Sequence, residues 1–161
     1  MRRYAKAGVA ALVLLIGLYW WYTRPVGIYE LAPELEITKI CAHMDRFGAD
    51  DFEHRDADVS LDTEEGKAIL AQLEQLRLRR SIFNPLRQYL PSRVTGRAME
   101  KGDYSYVIHL TGTGSYCHLQ FFGDRWSYTT PKEKDYFPCH IPQGEETGNR
   151  IGNALWELGK A

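Results

Sequence analysis

"YSYVIHLTGTGSYCHLQFFGDRWSYTT", residues 104–130, decides the fold class. Its aromatic and β-branched residues come in short runs, 104–110, 115–122 and 125–130, parted by Thr111-Gly112-Thr113-Gly114 and by Gly123-Asp124. Runs of that composition form strands, and glycine-containing breaks this short join neighbouring strands as hairpins. The segment predicts a three-stranded antiparallel meander. Its "TGTGS" turn also invites comparison with a phosphate-binding loop, but that chemistry needs a helix N-terminus and this turn lies between strands.

Upstream, "LEITKICAHM" (35–44) reads as a strand, and "DFEHRDADVSL" (51–61) follows a turn near Gly48, so a first hairpin is expected. Asp62-Thr63-Glu64-Glu65 then offers a capping box, with Asp62 as cap and Glu65 three residues on. Ile69, Leu73 and Leu76 fall on one helical stripe behind it. After Leu76 the pattern shifts to a period of two, with Leu76, Leu78, Arg80 and Ile82 alternating with Arg77, Arg79 and Ser81, which predicts extended chain before Asn84-Pro85. At the end, Thr147 caps a predicted helix through Ile151, Leu155 and Leu158, with Gly159 as its stop. Gly148 and Gly152 weaken that helix by about 1 kcal/mol each relative to Ala, so packing must hold it.

The first residues carry a different signal. Ala7 to Tyr22 is an apolar run without an ionisable group, and as a helix it reaches roughly 24 Å, slightly short of a hydrocarbon core. It ends in Tyr19-Trp20-Trp21-Tyr22 rather than in the small residues of a cleavage site, so an uncleaved signal anchor is expected. Lys6 can snorkel its ammonium to one interface while Tyr19, Trp20, Trp21 and Tyr22 sit at the other. Arg2, Arg3 and Lys6 precede the run and only Arg24 closely follows, which places the N-terminus in the cytoplasm and the rest of the chain outside the plasma membrane. The expected organisation is a cytoplasmic stub and transmembrane anchor over residues 1–22, a linker over 23–33 broken by Pro25, Gly27 and Pro33, and one extracytoplasmic domain over 34–161. The fold class is α+β: an N-terminal transmembrane helix, then an antiparallel sheet built from the hairpin and the meander and packed against two helices.

Charge narrows the function classes. The chain carries a net charge of −1, but residues 1–24 hold four of its twenty Lys and Arg and none of its twenty-one Asp and Glu, leaving the remainder at −5. That argues against a nucleic-acid partner. The partners expected instead are the bilayer, through residues 7–22, and a membrane or envelope protein. The anchor, the "DADVSLDTEEGKAIL" passage into a helix, the meander and the C-terminal helix together resemble small membrane-anchored extracytoplasmic proteins of unknown function in Gram-positive bacteria. The resemblance implies a bacterial envelope address and no reaction, cofactor or catalytic residue.

The residues able to carry chemistry are few. Each cysteine has a histidine close by, in Cys41-Ala42-His43, Cys117-His118 and Cys139-His140. Thiolate and imidazole ligate zinc or act as nucleophile and base. Successive strand residues point to opposite faces, so only Cys41 and His43, two apart, can share an ion. Outside the membrane one disulfide is also open to the chain, and Cys41 with Cys139 is the favoured pairing because Cys117 sits in mid-meander, with three free thiols the equal alternative. His109 and His118, on neighbouring strands, are candidate acid and base. Nine acidic residues between Asp45 and Glu65 lack the register of a calcium loop, since counting from Asp56 puts Leu61 where Gly is required. Arg77, Arg79, Arg80 and Arg87 form a basic counterpart suited to an anionic partner or lipid. No signature of a serine hydrolase, zinc protease or P-loop is present, and no cofactor is called for. The expectation is an anchored binding or interaction domain, with a small Cys/His-dependent metal-binding protein or hydrolase as the alternative.

Overall fold

The computed structural model describes residues 2–48, 52–80 and 99–160, and the side chains of all of these except 2–7 and 133–136. The chain runs α1 (Arg2–Thr23), β1 (Pro25–Val26), α2 (Ile28–Leu31), β2 (Glu36–Phe47), β3 (Phe52–Val59), α3 (Glu64–Glu74), β4 (Leu78–Arg80), β5 (Tyr104–Thr113), β6 (Ser115–Phe122), β7 (Arg125–Thr130), β8 (Glu133–His140) and α4 (Gly144–Leu158). The strands form one eight-stranded sheet in the order β1-β4-β8-β7-β6-β5-β2-β3, and every pairing is antiparallel. The fold is therefore α+β. The expected hairpin and meander are both present, and β2 pairing with β5 joins them into a continuous sheet.

Period-two alternation explains the layering. Ile40, Ala42 and Met44 of β2, Tyr104, Tyr106, Ile108 and Leu110 of β5, Cys117, Leu119 and Phe121 of β6, and Trp126 and Tyr128 of β7 are all buried. The residues between them on β5 and β6 remain partly exposed. α4 crosses the buried face against β2, β3, β5 and β7, and α3 rests on α4 and α2. Ile151, Leu155 and Trp156 of α4 enter the core, each contributing about 1.5–3 kcal/mol of apolar burial.

The glycines of α4 are required by contact. A Cβ on Gly148 would lie 2.2 Å from two atoms of the Phe121 ring, and one on Gly152 would lie 2.9 Å from Tyr104. The missing side chains let the helix backbone settle onto the aromatic floor, where Tyr106 donates its hydroxyl to the Gly148 carbonyl at 3.0 Å. Trp126 Nε1 donates to the Gly144 carbonyl at 2.9 Å. What costs propensity in the helix is recovered in approach.

Several expected boundaries move. Residues 23–33 do not form a linker: they supply β1 and α2, and Val26, Ile28, Leu31 and Ala32 are core residues. Thr63, not Asp62, caps α3, its side chain accepting from Gly66 N at 3.0 Å. α4 begins at Gly144, three residues before Thr147, with Gln143 as its cap at φ 52°. β8 was not anticipated because Pro138 lies inside it; Pro138 stands opposite Ser127, in a strand whose partners are β7 and the three-residue β4. The alternation after Leu76 is β4 as far as Arg80, and the remainder of that segment lies outside the described residues. α1 is helical from Arg2 to Thr23. Among the described residues no helix is long and apolar enough to cross a membrane.

Candidate functional site

The face of the sheet opposite α4 collects the polar chemistry. On β2 and β3 the alternation that buries Ile40, Ala42, Ala57 and Val59 turns Cys41, His43, Asp45, His54, Asp56 and Asp58 outward. Hairpin register sets Cys41 opposite Asp58, His43 opposite Asp56 and Asp45 opposite His54. The next strands continue the row: Cys41 faces His109, and His109 faces His118.

Hydrogen bonds order the β3 end of this row. His43 Nδ1 lies 2.7 Å from Asp56 Oδ1. An ionised carboxylate only accepts, so Nδ1 carries the proton that His43 donates to Asp56. His54 stands between two carboxylates, with Nδ1 3.0 Å from Asp45 and Nε2 3.2 Å from Asp56. Both of its nitrogens can donate only in the imidazolium. In keeping with that, the hydrogen bond to Asp45 holds the His54 pKa above its ordinary value. The hydrogen bond from His43 holds Asp56 below the usual carboxylate range, with His54 adding to the effect.

Ring contacts carry the row onward. His43 and His109 meet edge to face with centroids 5.3 Å apart, and His109 and His118 do so at 4.4 Å. Tyr116 closes the line against His118 at 4.7 Å. Partial burial lowers the pKa of His109, and His43 beside it adds to the shift. Burial, with His109 as neighbour, does the same to His118. The row thus passes from a charged Asp45–His54–Asp56 cluster to imidazoles that favour the neutral form. It can accept hydrogen bonds and stack against rings across four strands.

The thiols are not poised for nucleophilic attack. Cys41 Sγ lies 3.0 Å from Asp58 Oδ1, and partial burial followed by that carboxylate raises its pKa. A nucleophilic cysteine needs the opposite shift. Cys139 is pushed up to about 12 by burial, and Cys117 is fully buried. None of the three cysteines is in a disulfide, which is the alternative weighed equally with the Cys41–Cys139 pairing. Cys41 lies on β2 and Cys139 on β8, with β5, β6 and β7 between. Four strand spacings amount to roughly 19 Å, beyond the reach of a disulfide.

Cys41 and His43 share a face as expected, but each turns to its own carboxylate on β3. Among the described residues no group of three or more His, Cys, Asp or Glu is arranged to hold a metal ion. His109 and His118 come together as expected, in register on adjacent strands. His54, Asp45 and Asp56 were missed, although "EHRDAD" places His54 and Asp56 on one face and only the hairpin register was needed to add Asp45. Tyr104, Tyr106, Trp126 and Tyr128 are buried in the core, leaving Tyr116 as the one tyrosine of this row.

The basic residues gather at the opposite edge. Arg79 lies opposite Pro25 in the β1–β4 pairing, and the Arg80 guanidinium stands 5.9 Å from the centroid of the Tyr22 ring. Arg77 donates to the carbonyls of Glu74 and Leu76. Arg87 and the side chain of Lys6 lie outside the described residues. Of the aromatic end of α1, Tyr19, Trp20 and Trp21 are exposed. No family model, curated protein or solved structure matches this chain.

Proposed function

We propose that the chain is a single-pass membrane-anchored protein, with its N-terminus in the cytoplasm and a binding domain outside that presents the polar sheet face. The observation that carries this reading is the surface of α1. Val9, Leu12, Val13, Leu14, Leu15, Ile16 and Leu18 are each more than half exposed, and Trp20 is 75% exposed. Apolar side chains on every side of a helix suit an apolar surrounding, and a patch of this size is not left to water. The exposed rings of Tyr19, Trp20 and Trp21 suit the headgroup boundary at the end of the run. The protonated thiols and the flat, hydrogen-bonded polar face favour recognition over catalysis. The proposed address agrees with the resemblance to small anchored envelope proteins.

Alkaline carbonate washing of membranes from bacteria producing the full chain tests the anchor. The protein is expected to remain in the pellet, and the Leu14→Lys/Ile16→Lys variant to move to the supernatant. Recovery of the unaltered chain in the wash would overturn the anchored reading. Protease added to spheroplasts is expected to remove the domain, and full protection would reverse the orientation.

A further inference from the structure

We propose that Arg79 and Arg80 of β4 bind the headgroup phosphates of anionic phospholipid in the leaflet next to the domain, clamping it to the bilayer. This rests on the anchored reading of α1. The geometry begins with the short connection: α1 ends at Thr23 and β1 starts at Pro25, so only Arg24 lies between helix and sheet. β1 pairs with β4, Pro25 opposite Arg79 and Val26 opposite Leu78. Paired strands lie about 4.8 Å apart, so Arg79 stands one strand spacing from a residue that has just left the helix. The polar layer on each side of the hydrocarbon core is about 5–8 Å thick. With Trp20 to Tyr22 at the interface, Pro25 and Arg79 fall within that layer.

Neighbouring interactions leave this pair of arginines for an outside anion. Arg24 is engaged by Glu30 at 2.8 Å, and Arg77 by two backbone carbonyls. Arg79 is exposed and makes no ion pair among the described residues. Arg80 is half-buried over Tyr22 of the interfacial belt, and its buried Nε has no hydrogen-bond partner, so only its terminal nitrogens can turn to an outside anion. A guanidinium offers phosphate a bidentate fork.

In sequence these arginines are remote from the anchor and do not enter the positive-inside count, yet strand pairing brings them beside it.

Full-length protein in nanodiscs of mixed phosphatidylcholine and phosphatidylglycerol tests the clamp, with native mass spectrometry reading the lipids retained on ejection. Retention of phosphatidylglycerol over phosphatidylcholine is expected to fall roughly 5-fold for each arginine reversed, and so about 25-fold in Arg79→Glu/Arg80→Glu. Every residue other than the one reversed is common to the proteins compared, so the difference between proteins is the readout. Arg79→Lys keeps charge but loses the fork, and is expected to fall between. Reversal of exposed Arg150 on α4 is expected to change nothing, and circular dichroism checks that each variant is folded. Unchanged preference in the folded double variant, or in folded Arg79→Glu alone, overturns the clamp while leaving the anchor standing. Failure of the unaltered chain to enter the discs overturns the anchor, and the clamp with it.

Discussion

The two faces of the sheet are written by alternate residues of the same strands, and they obey opposite rules. Under α4, Tyr106, Phe121 and Trp126 stack with centroids 5.0–5.9 Å apart, and two glycines bring a helix backbone onto them. On the other face, four imidazoles and a set of carboxylates stand half in water. A change of one methyl group should be felt on the first face through volume. On the second face the same change should be felt through protons.

The largest effect that could break this contrast is Gly148→Ala. Alanine gains up to about 1 kcal/mol of helix propensity over glycine. Against that, its Cβ would meet the Phe121 ring at 2.2 Å, and overpacking of a filled core costs about 1–3 kcal/mol, occasionally more. A net loss of about 2 kcal/mol in urea unfolding is expected. Neutral or stabilising behaviour would mean that the α4 floor yields, and that the two faces do not differ in rigidity as described.

An intermediate effect comes from acid. His109 and His118 have folded pKa values below the unfolded imidazole value of about 6.5. The unfolded chain therefore binds more protons as pH falls below that value, and their contribution to stability is lost as pH falls through the folded values. His54, with a raised pKa, acts the other way: its contribution is present below the unfolded value and lost as pH rises through the folded one. His43, Asp56, Asp58, Lys39 and Tyr116 share this face, and Asp56 and Asp58 have lowered pKa values that keep them charged throughout this range. The partly buried pair should outweigh exposed His54, so the unfolding midpoint is expected to fall between pH 7.5 and 5.5. His109→Gln/His118→Gln should flatten that slope. A slope unchanged by the double substitution would remove the proton response from this face.

How far each face could be read from sequence follows from the range of the interactions that build it. The hairpin and meander were legible because alternation is a local signal repeated along each strand. β1 and α2 were not, since a two-residue strand and a four-residue helix exist only through the burial of Val26, Ile28 and Leu31 against distant parts of the chain. The roles of Gly148 and Gly152 were hidden for the same reason: locally they only weaken a helix, and their partners Phe121 and Tyr104 lie on other elements. On the polar face, His109 and His118 were readable from two strands joined by a tight turn. Whether a Cys41–Cys139 bridge forms stayed open in the sequence because it depends on strand order, which no local pattern records.

The smallest effect and the sharpest test is Asp56→Asn. Asp56 accepts from His43 and also lies 3.2 Å from His54 Nε2. The pair is solvent-exposed, so the change should hardly move the unfolding midpoint, as expected of surface ion pairs. It should move protons. With the charge gone, the pKa of His54 is expected to drop toward its ordinary value, held up by Asp45 alone. His43 loses the charged acceptor that fixes its Nδ1 proton, and its two tautomers should become more evenly populated. Imidazole proton and nitrogen shifts followed across pH report both changes in a single titration. A titration of His54 identical to that of the unaltered chain would mean that the carboxylate row does not set the charge of this face. A large loss of stability would mean that the polar face is packed as tightly as the aromatic one, and the contrast between the two would fall.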